Sequence, residues 1–598
     1  MNNILNRVID WLCLSLFFIL ITFPIFQIFS RYINFFSIPA SQEIVQHMTL
    51  WIGFVGAVIA ARSNKLLSIV REPVFKSLKK VSWPQFFVHI FSLSVVFVLS
   101  VSYLKMIQIG IQYPDFIAPY IPTWLAQSII PFGLILIWYQ MILTSSSNFK
   151  YRLFVSTFST IPALILYFWQ FPLANPILLW SLIIISIVLV AFGLPIFILL
   201  ASLAIFFFLS EPSDWATNYD LISTISDSAY RIVVSPTLAA IPIFTLAGYV
   251  LAESNISDRL IKFFKKTLGW LPGSTVLIVV ILCAFFTALT GGSGVTILAL
   301  GAILYPILVH DGYSKRFSLG IITTAGSLGL LFPPSLPAII YSVTAGINPL
   351  ELFKQALVPA IFLLCIMFFY GLYMLPKNKK IEKFDFKNAY NSAKVAKWEL
   401  AIPLLIVLSL FSGFATLVES AALLVLYVLT IELYIFKDIA FKDLPKIIID
   451  CSTLVGGVLI ILGFAMGFTG YLVDAQIPLK ILNFVQSTIS SKIIFLLALN
   501  ILLLVIGCLM DVFSAIIVVV PLIAPLASYF GIDPFHLAII FIANLELGYI
   551  TPPVGMNLYL SSYRFEKDMP TIYAATLPFF FIRLIGVIFI TYIPLFFY

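Results

Sequence analysis

From end to end this chain is a succession of apolar runs long enough to cross a bilayer as helices, which takes about 20 residues each, separated by short charged loops. Of its 598 residues 61% are hydrophobic and only 10% charged, and the mean hydropathy is +1.09. A soluble domain cannot hide that much apolar surface, so the bilayer is the first partner. The net charge of +8 does not indicate nucleic acid, because the basic residues sit in loops between apolar runs, as the positive-inside rule places them. Cys13, Cys283, Cys365, Cys451 and Cys508 lie in or beside apolar stretches without paired spacing, and the four histidines form no HExxH motif. No disulfide framework or zinc site is expected. Residues 10–30 follow Arg7 without a small-x-small cleavage pattern and read as a retained first helix.

Loop charge orders the runs. Segments 10–30, 44–61, 84–103 and 124–144 form a four-helix unit. Its loop 62–80 carries Arg62, Lys65, Arg71, Lys76, Lys79 and Lys80 and belongs inside, whereas 105–123 carries only Lys105 and Asp115. The N-terminus is therefore expected in the cytoplasm. Segment 153–171 then leads outward to a larger unit. There 176–191 and 195–209 meet at a tight turn around Gly193 to Pro195, and the acidic loop 210–235 belongs outside, in part as an interfacial helix. The run 273–309 is interrupted at Thr290-Gly-Gly-Ser-Gly294 and flanked by basic residues at both ends, as in a re-entrant hairpin. Segment 317–346 is broken at Pro333-Pro334, and 354–376 returns to the lysine-rich loop 377–397.

The rest of the chain replays this order, with a second hairpin in 493–527 around Asp511 to Ser514 and a second break at Pro552-Pro553. A shift of 219 residues maps Pro306 onto Pro525, Gly312 onto Gly531, Leu328-Gly329 onto Leu547-Gly548, and Pro333-Pro334 onto Pro552-Pro553. Five crossings and one hairpin per half make the halves inverted, and the loop charges agree: the first hairpin opens inside, the second outside. The C-terminus then falls on the periplasmic side. Inverted repeats with broken helices are the signature of secondary transporters. A helix broken in hydrocarbon leaves backbone groups unpaired, at several kcal/mol each on the order-of-magnitude scale, and such breaks survive where the freed carbonyls and amides line a polar site.

Ala240-Ile-Pro-Ile-Phe-Thr-Leu-Ala-Gly248, the tip Gly292-Ser-Gly294, Gly329-Leu-Leu-Phe-Pro-Pro-Ser335 and Gly548-Tyr-Ile-Thr-Pro-Pro-Val-Gly-Met-Asn-Leu558 resemble the large membrane subunit of tripartite ATP-independent periplasmic (TRAP) transporters. Gly413-Phe-Ala-Thr-Leu-Val-Glu-Ser-Ala-Ala422 resembles its Gly-x-Phe-Thr-Pro-Thr-Glu-Ala-Ala signature, except that Leu417 and Val418 replace Pro-Thr. The first tip is also poorer in serine than the family's. Residues 41–69, with Glu43, Trp51, Gly56 and Arg62, resemble the small four-helix subunit. The resemblance implies an all-α polytopic protein of the bacterial inner membrane: a small scaffold subunit at 1–150, a linker helix at 151–175, and a large unit whose inverted repeats occupy 176–397 and 398–598. It also implies sodium-coupled, elevator-type uptake of an organic acid (a dicarboxylate, keto acid or sialic acid) delivered by a separate periplasmic binding protein, with Na+ as the co-transported ion and no organic cofactor.

Read together, the breaks and the resemblance give Ser293, Gly329, Pro333, Asp511, Ser514, Gly548 and Thr551 as candidate sodium ligands. Gly292, Gly294, Pro334, Ser335, Pro553 and Asn557 are candidate substrate contacts. Each has a plainer reading: Asp511 as a cap on backbone amides, Ser293 and its glycines as small-residue packing, the proline breaks as backbone features. Glu419 and Glu546 read as partners of nearby backbone amides, and Glu43 and Arg62 as packing and anchoring residues. No Lys or Arg is expected near either break, so the field for an anion must come from helix N-termini, hydroxyls and bound sodium. A stand-alone sodium–dicarboxylate carrier is the alternative, which the four-helix unit disfavours. An intramembrane enzyme is the remote one: Asp474 is poorly placed as a second catalytic aspartate, His310 and His536 lie at loop ends, and no Walker motif is present.

Overall fold

The computed structural model describes residues 2–33, 40–68, 83–118, 121–146, 148–168, 175–210, 217–376, 384–489, 491–553 and 555–596. Arg71, Lys76, Lys79 and Lys80 of the first basic loop, Glu211 and Asp214 of the acidic loop, and Lys377, Lys379, Lys380 and Lys383 lie outside them. Among the described residues eleven helices are long and apolar enough to cross a membrane. Among the described residues, strand pairing is confined to a short antiparallel ladder of Phe116–Ala118 with Ile121–Pro122 and an isolated bridge between Ser68 and Pro195.

The chain forms two compact units, Met1–Pro242 with Ile448–Lys480, and Ile243–Ile447 with Ile481–Tyr598. In the first, helix Asn2–Ile33 packs on Ser41–Arg62, and both Ser41–Arg62 and Trp83–Gln112 pack on Ile129–Ser145. Polar ties fix this bundle: Arg62 pairs with Asp10 at 2.8 Å, and the Trp51 indole donates to the Ala126 carbonyl at 3.0 Å. Helices Pro176–Val190 and Ile196–Ser210 pack against each other through a turn in which Gly193 takes φ +93°. Within the expected outer loop, Asn218–Val233 is an amphipathic helix that starts at a Thr217–Asp220 capping box and buries Ile222, Ile225, Ala229 and Val233. Its Tyr230 hydroxyl meets His47 at 3.0 Å.

This unit takes in residues 448–480 by close packing of small residues. A Cβ added at Gly56 would lie 2.2 Å from the Ser452 carbonyl oxygen, and one at Gly456 2.2 Å from the Ala57 nitrogen. Backbones approach this closely only where side chains are absent.

In the second unit the repeat seen in sequence is a repeat of helices. The first hairpin has arms Ser274–Thr290 and Ser293–His310, the second Lys492–Leu509 and Val512–Tyr529. The first broken helix runs Lys315–Ala325, a 3₁₀ turn Leu328–Leu331 and Leu336–Ala345; the second runs Pro534–Gly548 and Met556–Phe565. The long helices Pro349–Tyr373 and Met569–Tyr592 close the two repeats.

The repeats are interlocked. Each hairpin's first arm packs on the broken helix of its own repeat, while its second arm packs on the distal half of the other repeat's broken helix. Each proximal half packs on the other repeat's closing helix. At one such crossing a Cβ at Gly320 would lie 2.2 Å from the Ala575 carbonyl oxygen.

Replacing Gly56 or Gly456 with leucine forces backbone apart at a crossing that has no slack, at a cost of about 1–3 kcal/mol or more. Gly470→Ala, whose Cβ meets nothing nearer than Ser228 Oγ at 3.8 Å, is the control. Thermal unfolding of the purified chain in detergent should show both leucine variants melting several degrees lower and the control unchanged; equal melting in all three contradicts this packing.

Candidate functional site

The first hairpin turns at Gly291, with φ +66°, and Gly292. A Cβ on Gly291 would strike Leu336, at the start of the first broken helix's distal half, at 2.5 Å. One on Gly294 would strike Leu560, in the second broken helix's distal half, at 2.7 Å. One tip thus meets both breaks. Gly292 itself faces open space, with nothing within 4 Å of an added Cβ. Gly248, in the motif Ala240–Gly248, lies against Leu289 and Thr290 on the rear of the tip.

Around this tip lies a buried polar network. Thr287 and Thr296 hydroxyls are 2.7 Å apart, and Thr287 also donates to the Gly326 carbonyl at 2.8 Å. Asn557 Nδ2 donates to the Thr323 carbonyl at 3.1 Å, and Thr323 Oγ1 to Ser561 Oγ at 2.8 Å. Three buried oxygens here have no hydrogen-bond partner among the described residues: Ser293 Oγ, Thr324 Oγ1 and Asn557 Oδ1. Leaving a buried polar atom unpaired costs about 1–3 kcal/mol, and such atoms call for a physical explanation.

The second tip is built differently. Asp511 occupies the position that Gly292 holds in the first repeat, and it caps the second arm. Its carboxylate accepts from the Phe513 and Ser514 amides at 3.0 and 3.1 Å and from Ser514 Oγ at 2.6 Å. The Tyr549 hydroxyl accepts from the Val512 amide at 2.5 Å.

At each break a glycine lets backbone meet backbone. A Cβ on Gly329 would lie 2.3 Å from the Ala284 carbonyl oxygen and 2.5 Å from the Ala288 nitrogen. One on Gly548 would lie 2.6 Å from Gly507, the repeat partner of Ala288. The peptides Pro333-Pro334 and Pro552-Pro553 are both cis. Ser335 is buried at the N-cap of Leu336–Ala345, with the Ala338 amide at 3.5 Å. Thr551 Oγ1 donates back to the Leu547 carbonyl at 2.9 Å.

One expectation is corrected. The guanidinium of Arg583, fully buried on the closing helix Met569–Tyr592, reaches both breaks: Nη1 is 3.2 Å from Ser327 Oγ and 3.5 Å from the Thr324 carbonyl, and Nη2 donates to Glu546. The arginine is far from both breaks in sequence, and only the unusual presence of Arg within an apolar run signalled it. Away from the site, Thr416 and Glu419 form a reciprocal capping box. A second charged cluster joins Arg259 to Glu399, Glu432 and Asp438.

Residues 183–596 match the family model of the tripartite ATP-independent periplasmic transporter DctM component, and residues 18–150 that of the DctQ component. The chain is 34% identical over 361 residues to the C4-dicarboxylate TRAP transporter large permease protein DctM of Pseudomonas aeruginosa, covering 60% of this chain and 84% of that protein. It is 31% identical over 425 residues to the protein of the same name in Vibrio cholerae, covering 67% and 92%. It is 30% identical over 376 residues to the isethionate TRAP transporter permease protein DctMQ of Oleidesulfovibrio alaskensis, covering 62% and 59%. Among solved structures, the Alcanivorax borkumensis YdaH transporter aligns with TM-score 0.46 at 13% identity over 62% of this chain and 87% of that one.

Gly329→Ala and Gly548→Ala each place a methyl group against backbone rather than against a movable side chain. Both should melt lower than the parent by an amount reflecting about 1–3 kcal/mol of overpacking, while Thr551→Val, which keeps shape, should cost less than either. A thermal series that ranks Thr551→Val as the most damaging contradicts the close approach as the reason for these glycines.

Proposed function

This chain belongs to the TRAP transporter family, with the small and large membrane subunits fused in one polypeptide, and from that premise we propose that it imports an organic acid by sodium symport, the substrate being handed over by a separate periplasmic binding protein. The observation that carries this reading is the crosswise packing of two hairpins on two broken helices, with unpartnered buried oxygens where they converge. Hydroxyl, amide and backbone oxygens suit a hard monovalent cation, and freed helix N-termini suit a carboxylate.

The two tips divide the labour. At the first, Gly292 supplies no side chain to the N-terminus of Ser293–His310, leaving its amides to an anionic substrate, with Gly294, Ser335, Pro334, Pro553 and Asn557 around it. At the second, Asp511 fills the corresponding N-terminus and turns it into a cation site, with Ser514 and Thr551 and the carbonyls near Gly548 as further ligands. Ser293 and the carbonyls of Gly329 and Pro333 serve a cation at the first break. The unit holding both hairpins is the part that carries the substrate, elevator-fashion, and the unit containing the four-helix bundle is the fixed part. The organic-acid class follows the relatives, whose names specify C4-dicarboxylate and isethionate.

The test is uptake of labelled organic acids into proteoliposomes holding the chain, with and without an inward sodium gradient and the periplasmic binding protein. Uptake that needs both is expected; uptake undiminished when choline replaces sodium sinks the sodium reading, and uptake by the chain alone favours a stand-alone carrier. Asn caps helices about as well as Asp, so Asp511→Asn should keep the fold while raising the sodium concentration for half-maximal uptake about tenfold or more.

A further inference from the structure

Arg583 and Glu546 are a fully buried ion pair between two breaks. The two side chains the guanidinium contacts, Ser327 and Glu546, are the same position in the two repeats, related by the 219-residue shift. The repeats therefore present one polar residue each to a single cation, and only one of the two is charged. The pair is not locally saturated: Glu546 Oε1 and Arg583 Nε have no hydrogen-bond partner among the described residues.

Stability alone explains such a pair poorly, since well-packed apolar residues of similar volume often do as well or better in its place. Its connections say more. From Arg583 the polar contacts run to the Thr324 carbonyl, and the adjacent Thr323 carbonyl takes Asn557 Nδ2. Along that path lie two of the unpartnered oxygens, Thr324 Oγ1 and Asn557 Oδ1. The charges thus sit one or two side chains from the candidate ligands, inside protein that screens them weakly.

We propose that Glu546 and Arg583 are a positioning pair that sets the charge balance of the transport site, keeping it neutral so that it accepts a cation and an anion together. This rests on the sodium-coupled reading above. With Glu546 neutralised, Arg583 is left as an uncompensated positive charge that repels sodium. With Arg583 neutralised, the remaining carboxylate attracts it. A full charge on the order of 10 Å away at an effective dielectric near 20 changes an ion's affinity about tenfold, and the two single variants change it in opposite directions. A merely structural pair has no such sign.

The experiment is thermal melting of the purified full chain across a NaCl titration, with choline chloride holding ionic strength constant, for the parent, Glu546→Gln, Arg583→Gln and the double variant. The expected result is a midpoint sodium concentration about tenfold higher in Glu546→Gln, about tenfold lower in Arg583→Gln, and within about threefold of the parent in the double variant. If one single variant does not fold, the direction in the other decides. Shifts in the same direction, no shift, or a double variant that has lost its sodium response overturns the proposal. So does a folded double variant with a native sodium response beside two singles that do not fold, because that assigns the pair to structure alone. A parent chain whose melting ignores sodium sinks the sodium reading itself before any variant is compared.

Discussion

A polypeptide that stops being helical inside hydrocarbon has to find partners for the backbone groups it frees, and the second unit is arranged around that requirement. The partners come from the hairpins and from the opposite repeat. The Gly555 amide donates to the Cys508 carbonyl at 3.1 Å, and the Asn557 amide to the Tyr549 carbonyl at 3.2 Å. The Tyr549 hydroxyl serves Val512 at the second tip, and Asn557 and Arg583 take up carbonyls at Thr323 and Thr324. These contacts demand close approach, hence the glycines at 329, 507 and 548. Among the buried side-chain oxygens without a partner in the described residues, Ser293 Oγ, Thr324 Oγ1 and Asn557 Oδ1 belong to the elements that form the first tip and the two breaks.

The frame is symmetric and the chemistry is not. Positions related by the repeat hold Gly292 and Asp511, Ser327 and Glu546, Leu330 and Tyr549. Each exchange puts an acidic or hydroxyl group in the second repeat where the first has a smaller or apolar one. Under the proposed reading, these exchanges give the second repeat its cation ligands and leave the first with bare helix ends for an anion.

Most of the architecture was legible because it is written in local terms. Apolar runs, loop charge, the glycine tip and the repeated Leu-Gly and Pro-Pro need only neighbours in sequence, and the helix boundaries at 293–310 and 512–529 follow the 219-residue shift. Asp511 was read as a candidate sodium ligand with capping of backbone amides as its plainer reading, and the capping bonds are present. What stayed hidden depends on contacts between distant segments. Arg583 is separated from Ser327 by 256 residues, more than a whole repeat, and nothing near it in sequence indicates a partner. The recruitment of 448–480 into the unit of the four-helix bundle rests on Gly56 meeting Gly456, a complementarity that neither segment reveals alone. The helix Asn218–Val233 was legible in part, as an interfacial helix within the acidic outer loop.

The account turns on the first tip being part of an ion-and-substrate site rather than a packing feature, and Gly292 offers the most direct access to it because its Cβ position is open. A Gly292→Cys variant, made in a chain whose five native cysteines have been replaced by alanine or serine, can be reconstituted and its labelling rate by a small thiol reagent followed in sodium chloride and in choline chloride. Sodium occupancy should slow labelling, and a transported organic acid added with sodium should slow it further. Labelling at one rate in both salts, in a variant that still folds, would contradict a sodium-responsive site at this tip.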